Sequence, residues 1–292
     1  MIRRRTFLKG TAGTAGAMAA SALARELLAA GGDYRLSACD WSLKAKGPDG
    51  LEIARRCTLQ GLEISPGKLG ETIELADPAY RKAYKDASAK TGVAISSTAM
   101  GCFNQRPVAS EPLAPVWLEQ IVDATADLGC KPILLAFFGK GDLRAKGGGL
   151  KTKELDAVVQ RLKAVAPRAE KAGVILGIEN TLSAKENAAI LDRIGSPAAQ
   201  VYYDIGNSTG NGYDVPAEIR FLKDRICQFH FKDRKHGYLG QGEVRMKPVA
   251  EAIADIGYKG WIVLETKCPS KDRDADFRKN ADYVRGLMGM KA

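Results

Sequence analysis

Short apolar runs alternate with amphipathic segments along most of the chain. The runs at residues 131–138 and 174–179 are apolar except at their ends, which is typical of strands buried on both faces. The segments between such runs place apolar side chains close to the 3.6-residue period of a helix, as at Leu155, Val158, Val159, Leu162 and Val165. Strands that alternate with helices predict a parallel sheet, because parallel strands need a crossover connection.

The alternation occurs eight times. We predict strands at residues 36–41, 61–65, 93–98, 131–138, 174–179, 200–204, 226–233 and 261–265. We predict helices at residues 51–59, 79–90, 117–128, 155–172, 186–194, 217–223, 247–256 and 276–288. Eight β-α units match the usual size of a barrel of this kind, about 250 residues. The sequence therefore predicts an α/β protein, a single (β/α)8 TIM barrel at residues 31–292.

The first 30 residues have the features of an export signal. Arg4 and Arg5 precede Thr6-Phe7-Leu8-Lys9, then a weakly apolar stretch leads to the small residues Ala22-Leu23-Ala24. The paired arginines resemble the twin-arginine export motif. We expect cleavage after Ala24 or near Ala30 and a periplasmic or secreted protein; a basic disordered tail and an uncleaved anchor are the alternatives.

Composition narrows the classes of partner. The chain has 292 residues, 45% of them apolar, and a formal net charge of +10, which falls to +6 when the four cations before residue 25 are removed with the signal. This moderately basic balance suits an anionic ligand as well as plain solubility. The sequence has no basic run with interleaved aromatic residues, so nucleic-acid binding is not favoured. Beyond the N-terminus no run approaches the roughly 20 apolar residues of a membrane span.

The six cysteines show neither a C-x-x-C pair nor the spacing of a metal ribbon. Cys57 and Cys227 lie in apolar segments, where cysteine behaves as a small hydrophobic residue. Export would allow disulfides to form. We nevertheless predict mostly free, buried thiols.

Four predicted strands end in a polar residue that can bind a metal. Glu179, Asp204, His230 and Glu265 close strands five to eight, and in a barrel the carboxyl ends of the strands meet at one mouth. Three carboxylates this close would repel one another unless a cation lay between them. Three oxygen ligands and one imidazole suit Mn²⁺, Mg²⁺, Co²⁺ or Zn²⁺. Taken singly, each acid could be a helix cap or an ion-pair partner, and His230 a hydrogen-bonded core imidazole.

The same strand ends lie in segments that resemble a known family. The segments are LGIEN at 176–180, YDIGN at 203–207, FHFKD at 229–233, GQGEV at 240–244 and GYKGWIVLE at 257–265. Together they resemble the sugar phosphate isomerase/epimerase branch of the xylose isomerase-like TIM barrels. The intervals of 26 residues from Asp204 to His230 and 35 from His230 to Glu265 are similar to those of the ketose 3-epimerases.

The resemblance implies a function and a set of roles. It implies that Glu179, Asp204, His230 and Glu265 bind a divalent metal, most commonly Mn²⁺, and that Glu179 and Glu265 also act as acid and base. The implied enzyme is a metal-dependent sugar isomerase or epimerase that removes a proton α to a carbonyl and passes through an enediolate. Its partner would be a small carbohydrate, and a homo-oligomer is left open.

One position departs from the family pattern and keeps a second enzyme function open, and a non-catalytic function is also open. Many members carry histidine where this chain has Asn207, and asparagine can hydrogen-bond a sugar but cannot carry charge. A lyase or hydratase acting on 3-keto-glycosides with the same metal site is therefore one alternative. A non-catalytic barrel that only binds a sugar is the other.

Further residues are candidates for contact with the substrate. Asn207 and Lys232 lie beside predicted ligands, although Lys232 could instead pair with Asp233 or be solvated. Glu186 lies near another substrate-contacting position, or it caps the helix that follows. Trp41 and Glu63, at the ends of strands one and two, line the pocket or belong to the core. The glycine- and lysine-rich segment 139–152 is either a solvated loop or a lid that contacts an anion.

Overall fold

A computed structural model describes residues 33–235 and 237–290 of the chain. The predicted export signal at residues 1–30 lies outside the described residues. The strands are β1 Arg35–Cys39, β2 Gly61–Ile64, β3 Ala94–Met100, β4 Pro132–Phe137, β5 Ile175–Asn180, β6 Ala199–Asp204, β7 Ile226–Phe231 and β8 Trp261–Leu264. Every strand pairs in parallel with its neighbours in sequence, and β1 pairs with β8, so the sheet closes. The predicted (β/α)8 barrel is confirmed.

Helices follow the strands around the outside of the barrel. Those of the described residues are α1 Gly50–Arg56, α2 Pro78–Thr91, α3 Ala114–Asp127, α4 Thr152–Ala172, α5 Ala184–Ile194, α6 Ile205–Gly210, α7 Val215–Leu222, α8 Met246–Asp255 and α9 Arg273–Met288. The predicted end of α4 is confirmed, because Gly173 adopts φ +66° and its N–H bonds back to Ala169 and Glu170. No helix in this part of the chain has the length and apolar character needed to cross a membrane.

The short helix α6 was not predicted. Its six residues are too few to show a helical period, and two of them are glycine, which weakens a helix. The helix forms because the last residue of β6, Asp204, acts as its N-cap and accepts a hydrogen bond from the Asn207 N–H. A predicted strand-end acid therefore also starts a helix at the mouth of the barrel.

Two layers of side chains fill the fold. The larger is the apolar layer between the sheet and the helices, with Trp117, Phe103 and Phe277 among its fully buried members. The smaller fills the lumen and includes Leu134, Tyr202 and Val263. Buried polar side chains, among them Glu63 and Gln228, also lie in the lumen. The polar region at the mouth of the barrel therefore extends into its interior.

The pairing of the strands shifts by one residue at two places. Between β2 and β3 the shift puts Glu63 opposite Ser97, and between β6 and β7 it puts Tyr202 opposite Gln228. Such bulges are frequent next to active sites, where they re-aim a side chain. Both shifts turn polar side chains into the same part of the lumen.

The glycine- and lysine-rich segment 139–152 after β4 makes defined contacts, both within itself and to α5. Arg144 and Leu150 form an isolated bridge, and the Arg144 guanidinium makes two hydrogen bonds of 2.8 and 2.6 Å to the Glu186 carboxylate. This bidentate pair attaches the segment to the start of α5 at the rim. Its role as a lid stays a prediction.

All six cysteines are free in the structure, in agreement with the sequence analysis. Cys39, Cys57 and Cys130 are buried, and the other three are half-buried. Burial raises the pKa of the Cys57 and Cys130 thiols to about 12, so both stay protonated near neutral pH.

Candidate metal centre

The four predicted ligands meet at the carboxyl mouth of the barrel. Asp204 and His230 lie directly opposite each other on β6 and β7. Glu179 reaches the same place from β5, and Glu265 follows β8, where its N–H bonds to the Phe231 carbonyl at 3.0 Å. One donor atom from each side chain lies within 4.8 Å of the donor atoms of the other three. Strand order alone gathers residues that are up to 86 positions apart in sequence, from 179 to 265.

Asp204 presents one oxygen that lacks a hydrogen bond. Its Oδ1 accepts the Asn207 N–H at 2.7 Å, which caps α6. Its Oδ2 is buried and forms no hydrogen bond of acceptable geometry, although the Lys232 Nζ lies 2.9 Å away. A buried carboxylate oxygen without a hydrogen bond is costly, so a cationic ligand of this oxygen in addition to Lys232 would stabilise the site.

His230 is fully buried and its two ring nitrogens face different groups. The Nδ1 atom lies 3.3 Å from Glu179 Oε1, 3.5 Å from Glu265 Oε2 and 3.9 Å from Asp204 Oδ2. The Nε2 atom lies 2.8 Å from Glu63 Oε1, on the lumen side. The Nδ1 edge of the imidazole therefore faces the three acids at the mouth, and the Nε2 edge faces Glu63 in the interior of the barrel.

Lys232 places its ammonium group among the acids. Its Nζ lies 2.9 Å from Asp204 Oδ2 and 2.5 Å from Glu265 Oε2. Lys232 therefore pairs with neither Asp233 nor solvent alone, two of the alternatives open from the sequence. The Asp233 carboxylate instead fixes the following loop by accepting backbone N–H groups from Gly240, Gly242 and Val244.

The pKa values of the cluster respond to burial and to the crowding of charge. Burial raises the pKa of Asp204, and the Glu265 and Glu179 carboxylates add to the rise while Lys232 opposes it. Burial also acts to raise the pKa of Glu265, but His230 and Lys232 outweigh it and hold that pKa below its usual range. Burial lowers the pKa of Lys232, yet the facing acids raise it overall. The three acids and the neighbouring cations therefore stabilise each other's charged forms, so this part of the site favours positive charge.

The donor set fits a hard divalent cation. Three carboxylates and one imidazole are ligands that Mn²⁺, Mg²⁺, Co²⁺ and Zn²⁺ accept, and no thiolate of the described residues points into the group of four. Asp204 Oδ2, which forms an ion pair with Lys232 but no hydrogen bond, is an oxygen that such an ion would bind. Glu179, Asp204, His230 and Glu265 are thus the residues that would hold it.

A cavity of about 470 Å³ opens above the cluster. Its polar wall contains Glu179, Glu265, Asn207 and Lys232, and the Trp41 Nε1–H donates to Glu265 Oε1 at 3.2 Å. Its other wall is mainly apolar and contains Pro66, Leu69, Cys102, Leu134 and Phe138. A volume of this size suits a small molecule, and the two walls suit one with polar and apolar faces.

Two predicted substrate contacts lie away from this lining. Glu186 forms a capping box with Ser183 at the start of α5 and pairs with Arg144, so its carboxylate is occupied by structural partners. Glu63 is fully buried and lies below His230, because strand alternation and the shift between β2 and β3 turn it into the lumen. By contrast, Trp41, Asn207 and Lys232 all line the cavity.

Several residues that support the site were not predicted from the sequence. Tyr202 and Gln228 lie in the lumen two positions before Asp204 and His230, so the two-residue period of a strand could have indicated them. Asn104 and Phe138 come from loops after β3 and β4, and no local pattern indicates that they line the cavity.

The chain is similar over most of its length to several known proteins. Over 242 residues it is 27% identical to the putative L-ribulose-5-phosphate 3-epimerase SgbU of Escherichia coli (strain K12), which covers 75% of this chain and 82% of that protein. A solved L-ribulose 3-epimerase superposes with a TM-score of 0.71 at 19% identity, covering 88% of this chain and 95% of the other. The 3-keto-D-glucoside 4-epimerase YcjR of E. coli gives 0.72 at 14% identity, covering 87% and 99%.

The two solved structures share the fold at low identity. The xylose isomerase-like TIM barrel family matches residues 51–287, which includes every strand from β2 to β8 and all four predicted ligands. By this match the chain belongs to the xylose isomerase-like TIM barrel family.

Proposed function

We propose that this barrel is a divalent-metal-dependent sugar epimerase or isomerase. It removes a proton next to the carbonyl of a small carbohydrate and leaves an enediolate. A proton returned to the opposite face of the same carbon gives epimerisation, and a proton returned to the neighbouring carbon gives isomerisation. The epimerase names of the relatives support this class of reaction.

The observation that carries the proposal is the convergence of Glu179, Asp204, His230 and Glu265 under one cavity. A protein that only bound a sugar would gain nothing from three acids at this separation, because their repulsion costs stability. An enzyme that moves a proton needs both a base and a cation to stabilise the charge that forms on the substrate oxygen.

The two glutamates would share the proton transfer. Glu179 and Glu265 come from β5 and β8, which are three strands apart around the barrel, so they reach a bound sugar from different sides. The side-chain nitrogen Nδ2 of Asn207 donates to Glu179 Oε1 at 3.4 Å. The Glu265 carboxylate accepts hydrogen bonds from Trp41 and Lys232. A divalent ion, when bound, would stabilise negative charge on the substrate oxygen. Lys232 and Asn207 would orient the hydroxyl groups of the sugar.

The lining of the cavity supports a neutral sugar or keto-glycoside over a sugar phosphate. Among the described residues that line it, Lys232 is the one cation, and Asp204 and Glu265 already pair with it. A phosphate group would need further donors or positive charge. The indole of Trp41, 39% exposed, and Phe138 instead offer flat apolar faces for the C–H side of a sugar ring.

The test is proton exchange in heavy water. The Mn²⁺-loaded protein is incubated in D₂O with ketoses, with 3-keto-glucosides and with ribulose 5-phosphate, and the deuterated carbon is located by NMR. We expect exchange α to the carbonyl of an unphosphorylated substrate, loss of exchange in Glu265→Gln, and no change in Glu119→Gln, a matched glutamate exposed on α3. An unsaturated keto-sugar product would indicate a lyase or hydratase. Sugar binding without any exchange would indicate a non-catalytic barrel.

We also propose that the protein is exported by the twin-arginine route. The paired arginines at the N-terminus support this, as does a metal site that can be filled before a folded protein is exported. Replacing Arg4 and Arg5 together with lysine should keep the full-length precursor in the cytoplasm. Cell fractionation that finds the variant in the periplasm would contradict the proposal.

A further inference from the structure

A buried polar network lies directly below the candidate metal centre. Its members come from four strands and are all at most 1% exposed, and they are Glu63, Ser97, Tyr202, Gln228 and His230. Apart from His230, none of them is among the predicted metal ligands. Burying five polar side chains together is costly unless every donor meets an acceptor.

The hydrogen bonds of this network converge on Glu63. The hydroxyl groups of Ser97 and Tyr202 lie 2.7 and 2.6 Å from Glu63 Oε2 and donate to it. The Gln228 amide nitrogen donates to both hydroxyl oxygens, each at 2.8 Å, which leaves their protons free to point at Glu63. The other carboxylate oxygen, Oε1, lies 2.8 Å from His230 Nε2.

This arrangement fixes a proton on Nε2 of His230. A carboxylate has no proton to donate, so the short contact between Glu63 Oε1 and Nε2 requires an N–H at Nε2. Without a metal, Nδ1 also carries a proton, because it lies 3.3 Å from the Glu179 carboxylate. A metal replaces that proton and leaves the one on Nε2, and the lone pair on Nδ1 then faces Glu179, Asp204 and Glu265. A metal ligand needs that lone pair, and a carboxylate on the far nitrogen is the common way to orient it.

We infer that Glu63 is a positioning residue, which holds His230 in the Nε2–H tautomer and turns its Nδ1 toward the metal. The inference rests on the proposed metal site. The two register shifts support it independently, because one sets Ser97 opposite Glu63 and the other sets Gln228 opposite Tyr202. Without those shifts the donors that surround Glu63 would be turned out of the lumen.

The tautomer can be read by NMR. The chain has two histidines, so the His236→Gln variant labelled with ¹⁵N-histidine gives the signals of one imidazole, that of His230. In the Zn²⁺-loaded variant we expect the proton on Nε2 and a metal-shifted Nδ1. A proton on Nδ1 with the metal on Nε2 would overturn the inference, and this measurement needs no change at Glu63.

Measurements of metal affinity distinguish a positioning role of Glu63 from a role in packing alone. Glu63→Met keeps the approximate volume but offers no acceptor, and we expect its dissociation constant for Mn²⁺, measured by calorimetry, to rise about 10- to 100-fold. Glu63→Gln keeps one carbonyl oxygen for His230 and should lose less than about tenfold. Equal affinities for the wild type, Gln and Met proteins would show that Glu63 only packs.

A matched control removes a buried hydrogen bond elsewhere. Thr98 Oγ1 and Thr125 Oγ1 form a buried pair at 2.7 Å. Thr125→Val should lower the melting temperature but leave the affinity for Mn²⁺ unchanged; a loss of affinity equal to that of Glu63→Met would assign the effect to general destabilisation.

The same titrations distinguish this inference from the proposed function. If the wild type binds no metal, the proposed function fails with it. If the wild type binds Mn²⁺ and Glu63→Met binds it equally well, only the inference fails. We expect one ion per chain; two ions would also overturn it, because Cys39, Glu63 and His230 Nε2 could then hold the second.

Discussion

At the scale of single residues, surroundings give the same side chain different properties. Asp40, 6% exposed at the end of β1, has its pKa raised by burial to about 6, although hydrogen bonds from the Ser65 N–H and hydroxyl oppose the rise. Asp233, on the loop after β7, accepts backbone N–H groups and fixes that loop. Sequence alone does not distinguish these carboxylates, because the difference arises from neighbours that are distant in sequence.

The raised pKa of Asp40 predicts a pH-dependent loss of stability. The unfolded chain ionises Asp40 near pH 4 but the folded chain only near pH 6, so its contribution to stability is full below pH 4 and falls as pH rises to 6. The loss is at most about 3 kcal/mol. Asp40→Asn keeps an acceptor for the Ser65 N–H and cannot ionise.

Between pH 4 and pH 6 the wild type should lose the stability that depends on a protonated Asp40, and Asp40→Asn should not. We therefore expect the free energy of unfolding of the variant to rise relative to that of the wild type over this range. Urea unfolding at several pH values measures it, and the difference cancels the contributions of all other acids. A constant difference across this range would contradict the raised pKa.

Lys232 gives a second prediction at this scale. Its ammonium is the cation that offsets Asp204 and Glu265 in the metal-free protein. In Lys232→Met the free energy of unfolding without metal should fall by about 3 kcal/mol, because buried acids lose their partner. Mn²⁺ should bind several-fold more tightly, since no competing cation remains.

The control for Lys232 is Lys259→Met. Lys259 is 72% exposed and pairs with Asp33 at 3.4 Å, so its loss should change stability by less than about 0.5 kcal/mol. Chemical unfolding and calorimetry of the two variants make the comparison. Weaker metal binding in Lys232→Met would show that the ammonium supports the ion instead of competing with it.

At the scale of elements, α6 and the end of β7 lie close together beside the candidate metal centre. A Cβ atom added at Gly206 would lie 2.5 Å from Lys232 Cγ and 2.7 Å from the Lys232 carbonyl oxygen. The backbone oxygen cannot move aside without displacing the end of β7. Gly206 is thus required for α6 to follow its N-cap Asp204 directly and still lie against the end of β7.

We therefore expect Gly206→Ala to lower the free energy of unfolding by about 1–3 kcal/mol through overpacking, and to weaken Mn²⁺ binding. The matched control is Gly286→Ala, also within a helix, where a Cβ atom would have nothing within 4 Å. That change should raise stability by about 0.5–1 kcal/mol, because alanine favours a helix more than glycine does. Equal effects of the two substitutions in urea unfolding would contradict this account of α6.

At the scale of the whole molecule, one ion would join four consecutive strands. A ligand that binds only the folded state stabilises it, by about 2.7 kcal/mol at one hundred times its dissociation constant. For a protein of this size we expect Mn²⁺ to raise the melting temperature by about 5–10 °C. EDTA should reverse the rise, and Asp204→Asn should abolish most of it. A melting temperature that is insensitive to divalent ions would contradict the metal centre.

The barrel itself could be predicted because its signals are local. Each apolar run and each amphipathic segment is visible within about ten residues, and eight repeats of the pair leave few alternatives. The polar ends of strands five to eight could be found for the same reason, since the rule that carboxyl ends converge is general. Helix α6 was not predicted because its six residues are fewer than the roughly 11 over which a helical period is recognised.

The sequence by itself determined the fold class, the order of the strands and the four side chains that reach the mouth. Only the tertiary structure decided the partners of Lys232, the position of Glu63 below His230 and the direction in which the imidazole faces. The physical reason is that these depend on contacts across the lumen, between residues as far apart as 63 and 230, and on register shifts that closing the sheet fixes. Local patterns contain no information about either.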